Sequence, residues 1–257
     1  MVLPMADDLT SAGGRLHFET PPIIEAVIAI TFAPLPESAL AALQGCVSEL
    51  RALGYPSAAP VTKHQVQIRV EQGVSSAGHQ DLPVGVRFTS GDSLHAVQFN
   101  RTEFVFSRLG RYDRWEPFRD EAKRLWQVFI RAVGGVSAVL VAVRFINKVF
   151  FPRTADPAEY LNARPLMPSD VAPVISEMFM RVVAPIGDPA GNFIHNQALL
   201  PPERDGFATV LLDNDFQFPA EGKADAELWE MLETVREIKD RYFVAVTTEK
   251  LRETFNA

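Results

Sequence analysis

A chain of 257 residues, 47% apolar and 22% charged, can bury a substantial core, which excludes the fibrous and disordered classes. Its 25 Lys and Arg against 32 Asp and Glu leave a net charge of −7, which speaks against a general nucleic-acid or anionic-membrane binder. Cys46 is the only cysteine, so no intramolecular disulfide can form and a reducing, cytoplasmic setting is expected.

Met1 to Gly14 carry Asp7 and Asp8 but no basic residue and no apolar run, so no secretory leader is expected and residues 1–18 read as a flexible tail. Ile24, Ala26, Ile28, Ile30 and Phe32 then recur at every second position, the period of a strand. Pro34 and Pro36 break it. Leu40, Leu43, Val47 and Leu50 make the stripe of one helix, which Gly54 and Pro56 stop. Four strands are expected at about 64–71, 83–90, 94–100 and 102–108. Ser90-Gly91-Asp92-Ser93 forms a hairpin turn in which Gly91 supplies the positive φ.

The clearest helix follows. Phe118, Ala122, Leu125, Trp126, Phe129 and Val133 fall on one face, Pro117 suits its first turn, and Gly134-Gly135 ends it. A long strand over 136–151 comes next, and its apolar run Val136–Val143 is far shorter than the roughly 20 residues that cross a bilayer. Asp156-Pro157-Ala158-Glu159 has the capping-box pattern, so a short helix is expected to about Asn162. Strands fit 173–184, 191–199 and 206–213. Leu228, Leu232, Val235, Ile238 and Tyr242 mark a long amphipathic helix, and Thr247 caps a last short one carrying Leu251 and Phe255.

These elements predict an α+β protein: one or two curved antiparallel sheets with the long helices on one face. Two topologically similar β-α-β-α halves are expected, 19–135 with four strands after its first helix and 136–257 with three, fused into one globular unit. The analogous architectures are the TATA-binding-protein-like and helix-grip-like folds, an analogy that carries no function.

Three stretches together resemble a sporadically distributed, uncharacterised bacterial protein family of similar length. They are Pro21-Pro22-Ile23-Ile24-Glu25-Ala26-Val27, Arg144-Phe145-Ile146-Asn147-Lys148, and Phe243-Val244-Ala245-Val246-Thr247 with Leu251-Arg252-Glu253-Thr254-Phe255. The resemblance spans the chain. It implies a single unit in the cytosol and brings no activity, cofactor or catalytic residue.

No phosphate-cradling glycine loop, G-x-S-x-G, H-E-x-x-H or paired C-x-x-C occurs, and the five histidines (His17, His64, His79, His95, His195) have no metal-ligand spacing. No cofactor is expected. Asp213-Asn214-Asp215 is the one catalytic candidate. Alternate residues of a strand face the same way, so Asp213 and Asp215, with Glu25, present hard oxygen ligands for Mg²⁺. The competing reading is a polar turn that closes the strand. Between Arg101 and Arg131 seven arginines and Lys123 meet five acids, the composition of a solvated, salt-bridged face.

Strand alternation also predicts a sheet face opposite the one carrying Ile24, Val66, Val86 and Val139. Its candidate binding residues are Arg144, Lys148, Arg69, Arg87 and Arg181, suited to an anionic or polar ligand, or to a structural network in which Glu25 pairs with one of them. The expected function is a non-enzymatic binding or protein-interaction module that self-associates as a homodimer or engages a protein partner. Neither membrane nor nucleic acid is an expected partner. Two alternatives stand beside it: a small-ligand domain with a pocket between sheet and long helix, and a metal-dependent enzyme using Asp213 and Asp215.

Overall fold

The structure is a computed structural model describing residues 18–71, 74–110, 112–166 and 175–256, with side chains described in all of these except 64–71 and 74–81. Among the described residues nine strands form one open antiparallel sheet. They are β1 (Ile23–Phe32), β2 (Ser57–Glu71), β3 (Val74–Thr89), β4 (His95–Asn100), β5 (Glu103–Leu109), β6 (Ala138–Pro152), β7 (Met178–Ile186), β8 (Gly191–Leu200) and β9 (Phe207–Pro219), in the order β2-β3-β4-β5-β1-β6-β9-β8-β7. The helices are α1 (Ala39–Gly45), α2 (Val47–Ala52), α3 (Trp115–Val133), α4 (Asp225–Val246) and α5 (Glu249–Glu253). None is long and apolar enough to cross a membrane among the described residues. The chain divides into two compact units, one of Glu25–Val143 with Phe218–Leu228, the other of residues up to Ile24, Arg144–Gln217 and Trp229 onward. These boundaries fall inside β1, β6, β9 and α4.

In the first of these units α3 covers one sheet face. The alternation of β1 sends Ala26, Ile28, Ile30 and Phe32 under it, all buried. Phe129 lies 5.3 Å from Phe32 and 5.4 Å from Phe99, and Phe118 stacks on Phe106 at 5.4 Å, centroid to centroid. Each such ring contributes roughly 1.5–3 kcal/mol through burial. Gly134 ends α3 with φ +78°, a left-handed conformation that closes a helix without a Cβ penalty. The basic side chains of α3 meet acids as the composition suggests: Arg124 pairs with Glu121 and Arg131 with Glu49, both at 2.6 Å.

In the second unit α4 does the same work. Tyr242 sits between Phe193 of β8 and Phe216 of β9 at 4.5 and 5.6 Å. Phe243, Leu251 and Phe255 close a cluster with Val149, Phe151, Tyr160 and Leu212. The entering chain is tied down there, since Thr20 N–H donates to the Phe255 carbonyl at 2.8 Å.

Several elements differ from expectation. The first helix is two, with Cys46 between them, and burial of that thiol pushes its pKa up. β2 and β3 extend well beyond 64–71 and 83–90 as one long hairpin. The positive φ in the 90–93 turn belongs to Ser93 (+60°), not Gly91. Asp92 secures the turn by accepting from Ser90 Oγ at 2.6 Å and Leu94 N–H at 2.9 Å.

The helix expected to Asn162 is a single 3₁₀ turn over Pro157–Glu159, with Asp156 capping Ala158 N–H. The strand expected from 173 starts at Met178, and residues 173–174 lie outside the described ones. The cap of α5 is Thr248, which accepts from Leu251 N–H, while Thr247 is buried and donates its hydroxyl to the Phe243 carbonyl. The most consequential difference is in β9. It runs through to Pro219, so Asp213-Asn214-Asp215 is mid-strand and not a closing turn.

Candidate functional site

Mid-strand placement makes the alternation of β9 decisive. Leu212, Asn214 and Phe216 point to the α4 side, and Asp213, Asp215 and Gln217 to the other side. On that open side the register sets Asn196 opposite Asp213 and Arg181 opposite Asn196. The result is a polar chain across four strands. Arg144 of β6 forks onto Asp213, Nε to Oδ1 at 2.6 Å and Nη2 to Oδ2 at 2.7 Å. Asn196 Nδ2 donates to Asp213 Oδ2 at 2.9 Å, and its own Oδ1 accepts from Arg181 Nη1 at 2.9 Å. The carboxylate is almost fully buried (5% exposed) whereas Arg144 is 46% exposed, so the pair sits with its acid in the sheet and its base half in water.

Asp213 is thus a carboxylate partner of Arg144 on this face. Lys148, on the same side of β6, pairs with Glu203 at 2.7 Å, and Arg204 lies 3.9 Å over the Phe150 ring. Of the five candidate binding residues, Arg144, Lys148 and Arg181 therefore share one face of this unit. The other two are in the Glu25–Val143 unit, Arg87 exposed on β3 opposite Gln98 and Arg69 on β2 opposite Ser76. Glu25 is half-buried on β1, opposite Leu109.

Asp215 is in a different state. Burial raises its carboxyl above the ordinary aspartate range, outweighing the Gln217 amide that donates to Oδ2 at 2.7 Å and the nearby Arg144 charge. Its Oδ1 is buried with no hydrogen-bond partner. Between the ordinary value and the raised one, the folded chain holds this proton more tightly than the unfolded chain does. Stability therefore falls as pH rises through that window. Asp215→Asn removes the penalty, so its melting temperature should exceed that of the wild type at pH 7. That advantage should shrink on acidification, as measured by thermal unfolding from pH 7 to 4.

Both oxygens of Asp213 accept hydrogen bonds, from a guanidinium and an amide. Among the described residues no group of three or more His, Cys, Asp or Glu is placed to hold a metal ion. On the α4 side His195 is buried, its Nδ1 2.7 Å from Asn214 Oδ1 and its Nε2 3.3 Å from Gln197 Oε1, with Phe193 stacked beside it. Both ring nitrogens lie within hydrogen-bond reach of amide oxygens, and the tautomer selects which oxygen accepts the N–H.

The sequence reading missed the outer edge of this unit. β7 ends the sheet order, and its pairing with β8 is continuous from Met178↔Leu199 to Ile186↔Gly191. It exposes apolar side chains on both faces: Phe179 is 71% exposed, Val183 56% and Val182 44%. Arg181 is its only charged residue. A usable signal existed in Phe179-Met180-Arg181-Val182-Val183-Ala184, an apolar run without the alternation of a half-buried strand. A cavity of about 1010 Å³ lies near its start, lined by Met178, Leu199, Phe151 and Val210 together with Glu177 and Arg164. No residue of α4 lines it, unlike the pocket expected between sheet and long helix. No protein-family model matches the chain, and a search of curated proteins finds no match.

Proposed function

We propose that this chain is a non-enzymatic protein-interaction module of the bacterial cytoplasm whose contact element is the free edge of β7. The observation that carries the reading is a nine-residue edge strand with Phe179 and Val183 more than half exposed. Such an edge presents unpaired backbone donors and acceptors, and sheet proteins normally protect it with lysine, bulges or inward charges. β7 has no lysine and an unbroken register; Arg181 and Pro185, the latter close to its end, are its edge-blunting residues. Strand addition uses such an edge: the backbone ladder supplies affinity and the exposed side chains supply selectivity. The architecture we attach to this reading is the duplicated plan of TATA-binding-protein-like folds, each unit contributing a sheet face covered by one long helix.

The polar chain Arg144–Asp213–Asn196–Arg181 supports the non-enzymatic side of the reading. Arg144 and Asp213 neutralise each other and Arg181 donates to the Asn196 amide, the arrangement of a scaffold rather than of a reacting centre. The test uses the purified chain and a Phe179→Lys/Val183→Lys variant as baits, followed by purification of any retained protein and a Kd measurement with each. At least a tenfold loss of affinity in the variant is expected, with unchanged thermal unfolding. Equal affinity for both baits would overturn the reading.

A further inference from the structure

We infer that the occupant of this edge is a second copy of the chain, with β7 pairing antiparallel to β7 about a two-fold axis at Val182. The inference rests on the interaction-module reading and names its partner. When a strand pairs with itself, residues opposite one another point to the same sheet face, so the axis must pass through a single residue. An axis at Val182, the midpoint of β7, aligns the whole strand. Met178 then faces Ile186, Phe179 faces Pro185, Met180 faces Ala184 and Arg181 faces Val183.

Charge selects this register over its neighbour. An axis at Arg181 would set two guanidinium groups directly opposite each other, about 5 Å apart at Cβ, and would shorten the paired stretch at one end. With the axis at Val182 the only ionisable side chain of the strand lies against valine, and its guanidinium stays bonded to Asn196 within its own copy. The copies each carry a charge of −7, but β7 contains no acid, so contact along this edge brings no carboxylates together. The absent N–H of Pro185 removes at most one ladder bond at each end.

The contact is large enough to be specific and small enough to be reversible. Nine strand residues extend about 30 Å, and pairing them with their exposed side chains buries on the order of 1,000 Å² in total, the lower bound for a specific interface. A dimer in reversible exchange with the monomer follows.

Sedimentation of the full chain at about 100 µM should give twice the 28.5 kDa chain mass, falling to one chain on dilution. Val182→Arg should remain at 28.5 kDa at every concentration, with unchanged thermal unfolding, whereas Leu94→Arg, an exposed position outside β7, should still dimerise. The register has its own readout. Under mild oxidation Val182→Cys should cross-link to itself. Arg181→Cys and Val183→Cys should cross-link when mixed and not when alone, because a residue and its own copy are then diagonal, about 7–8 Å apart. Buried Cys46 should not contribute. A wild type monomeric at 100 µM, or a dimer that survives Val182→Arg, would overturn self-pairing, and cross-linking of Arg181→Cys alone would overturn the register. If the wild type is monomeric yet Phe179→Lys/Val183→Lys still releases a reconstituted partner, self-pairing falls and the interaction module stands.

Discussion

Trp126→Ala should lower the unfolding free energy by about 3–5 kcal/mol, the largest effect expected of any single side chain in α3. The indole is 1% exposed, stacks on Phe129 at 5.4 Å and meets Phe104 edge-on at 5.3 Å. Alanine there leaves a cavity walled by rings that the sheet holds in place, so the site cannot collapse around it. A second loss is polar. Trp126 Nε1 donates to Asp225 Oδ1 at 2.5 Å, and Gln127 holds the other oxygen at 3.0 Å, so the substitution leaves the first residue of α4 with one partner of two. Trp126→Phe restores part of the volume and none of the hydrogen bond, and should fall between. Urea unfolding of the three proteins measures this. An unchanged midpoint in Trp126→Ala would mean that α3 does not cover the sheet through this face.

Arg144→Ala should cost about 2–3 kcal/mol, and Asp213→Asn combined with it should cost less than Arg144→Ala alone. Removing the arginine strands a carboxylate that is 5% exposed, with Asn196 its one remaining donor in the polar chain. Breaking a fully buried pair costs more than this; here the guanidinium is 46% exposed and already half solvated, which reduces the loss. Once Asp213 is neutral there is no stranded charge, so the double variant recovers stability. That sign separates a structural ion pair from a free cation awaiting an anion. A free cation would leave stability unchanged on removal and would show a salt-dependent loss of binding instead. Chemical denaturation of the double-mutant cycle supplies all the energies needed.

Much of the fold was legible because burial imposes its period on the sequence. Ile24 to Phe32 alternate, and Phe118 to Phe129 recur at helical spacing, so β1 and α3 could be placed within a residue or two. The elements misplaced were those whose limits depend on neighbours. Asp213-Asn214-Asp215 has the composition of a turn, yet hydrogen bonding to β8 carries the strand past it, with Asn196, His195 and Ile194 as partners. Local propensity is worth less there than a ladder on a neighbouring strand. Similarly, Gly91 is the residue with intrinsic access to positive φ, but the side-chain bonds of Asp92 place that conformation at Ser93.

The candidate site shows the same division. The sequence by itself determined which side chains could share a face: Arg144 with Lys148, and Asp213 with Asp215, since side-chain direction along a strand depends only on parity. It also determined the absence of known catalytic motifs, the lone buried thiol and the amphipathic helices. Only the tertiary structure decided that Arg144 meets Asp213, because strand order and register set which strands lie side by side, and neither is written in local periodicity. The tertiary structure likewise made β7 an edge. Its apolar run is what a central strand would carry, and the two cases differ only in whether a further strand follows in the sheet. A chain that ends its sheet on Phe179, Val182 and Val183 leaves there the surface that a central strand would have buried.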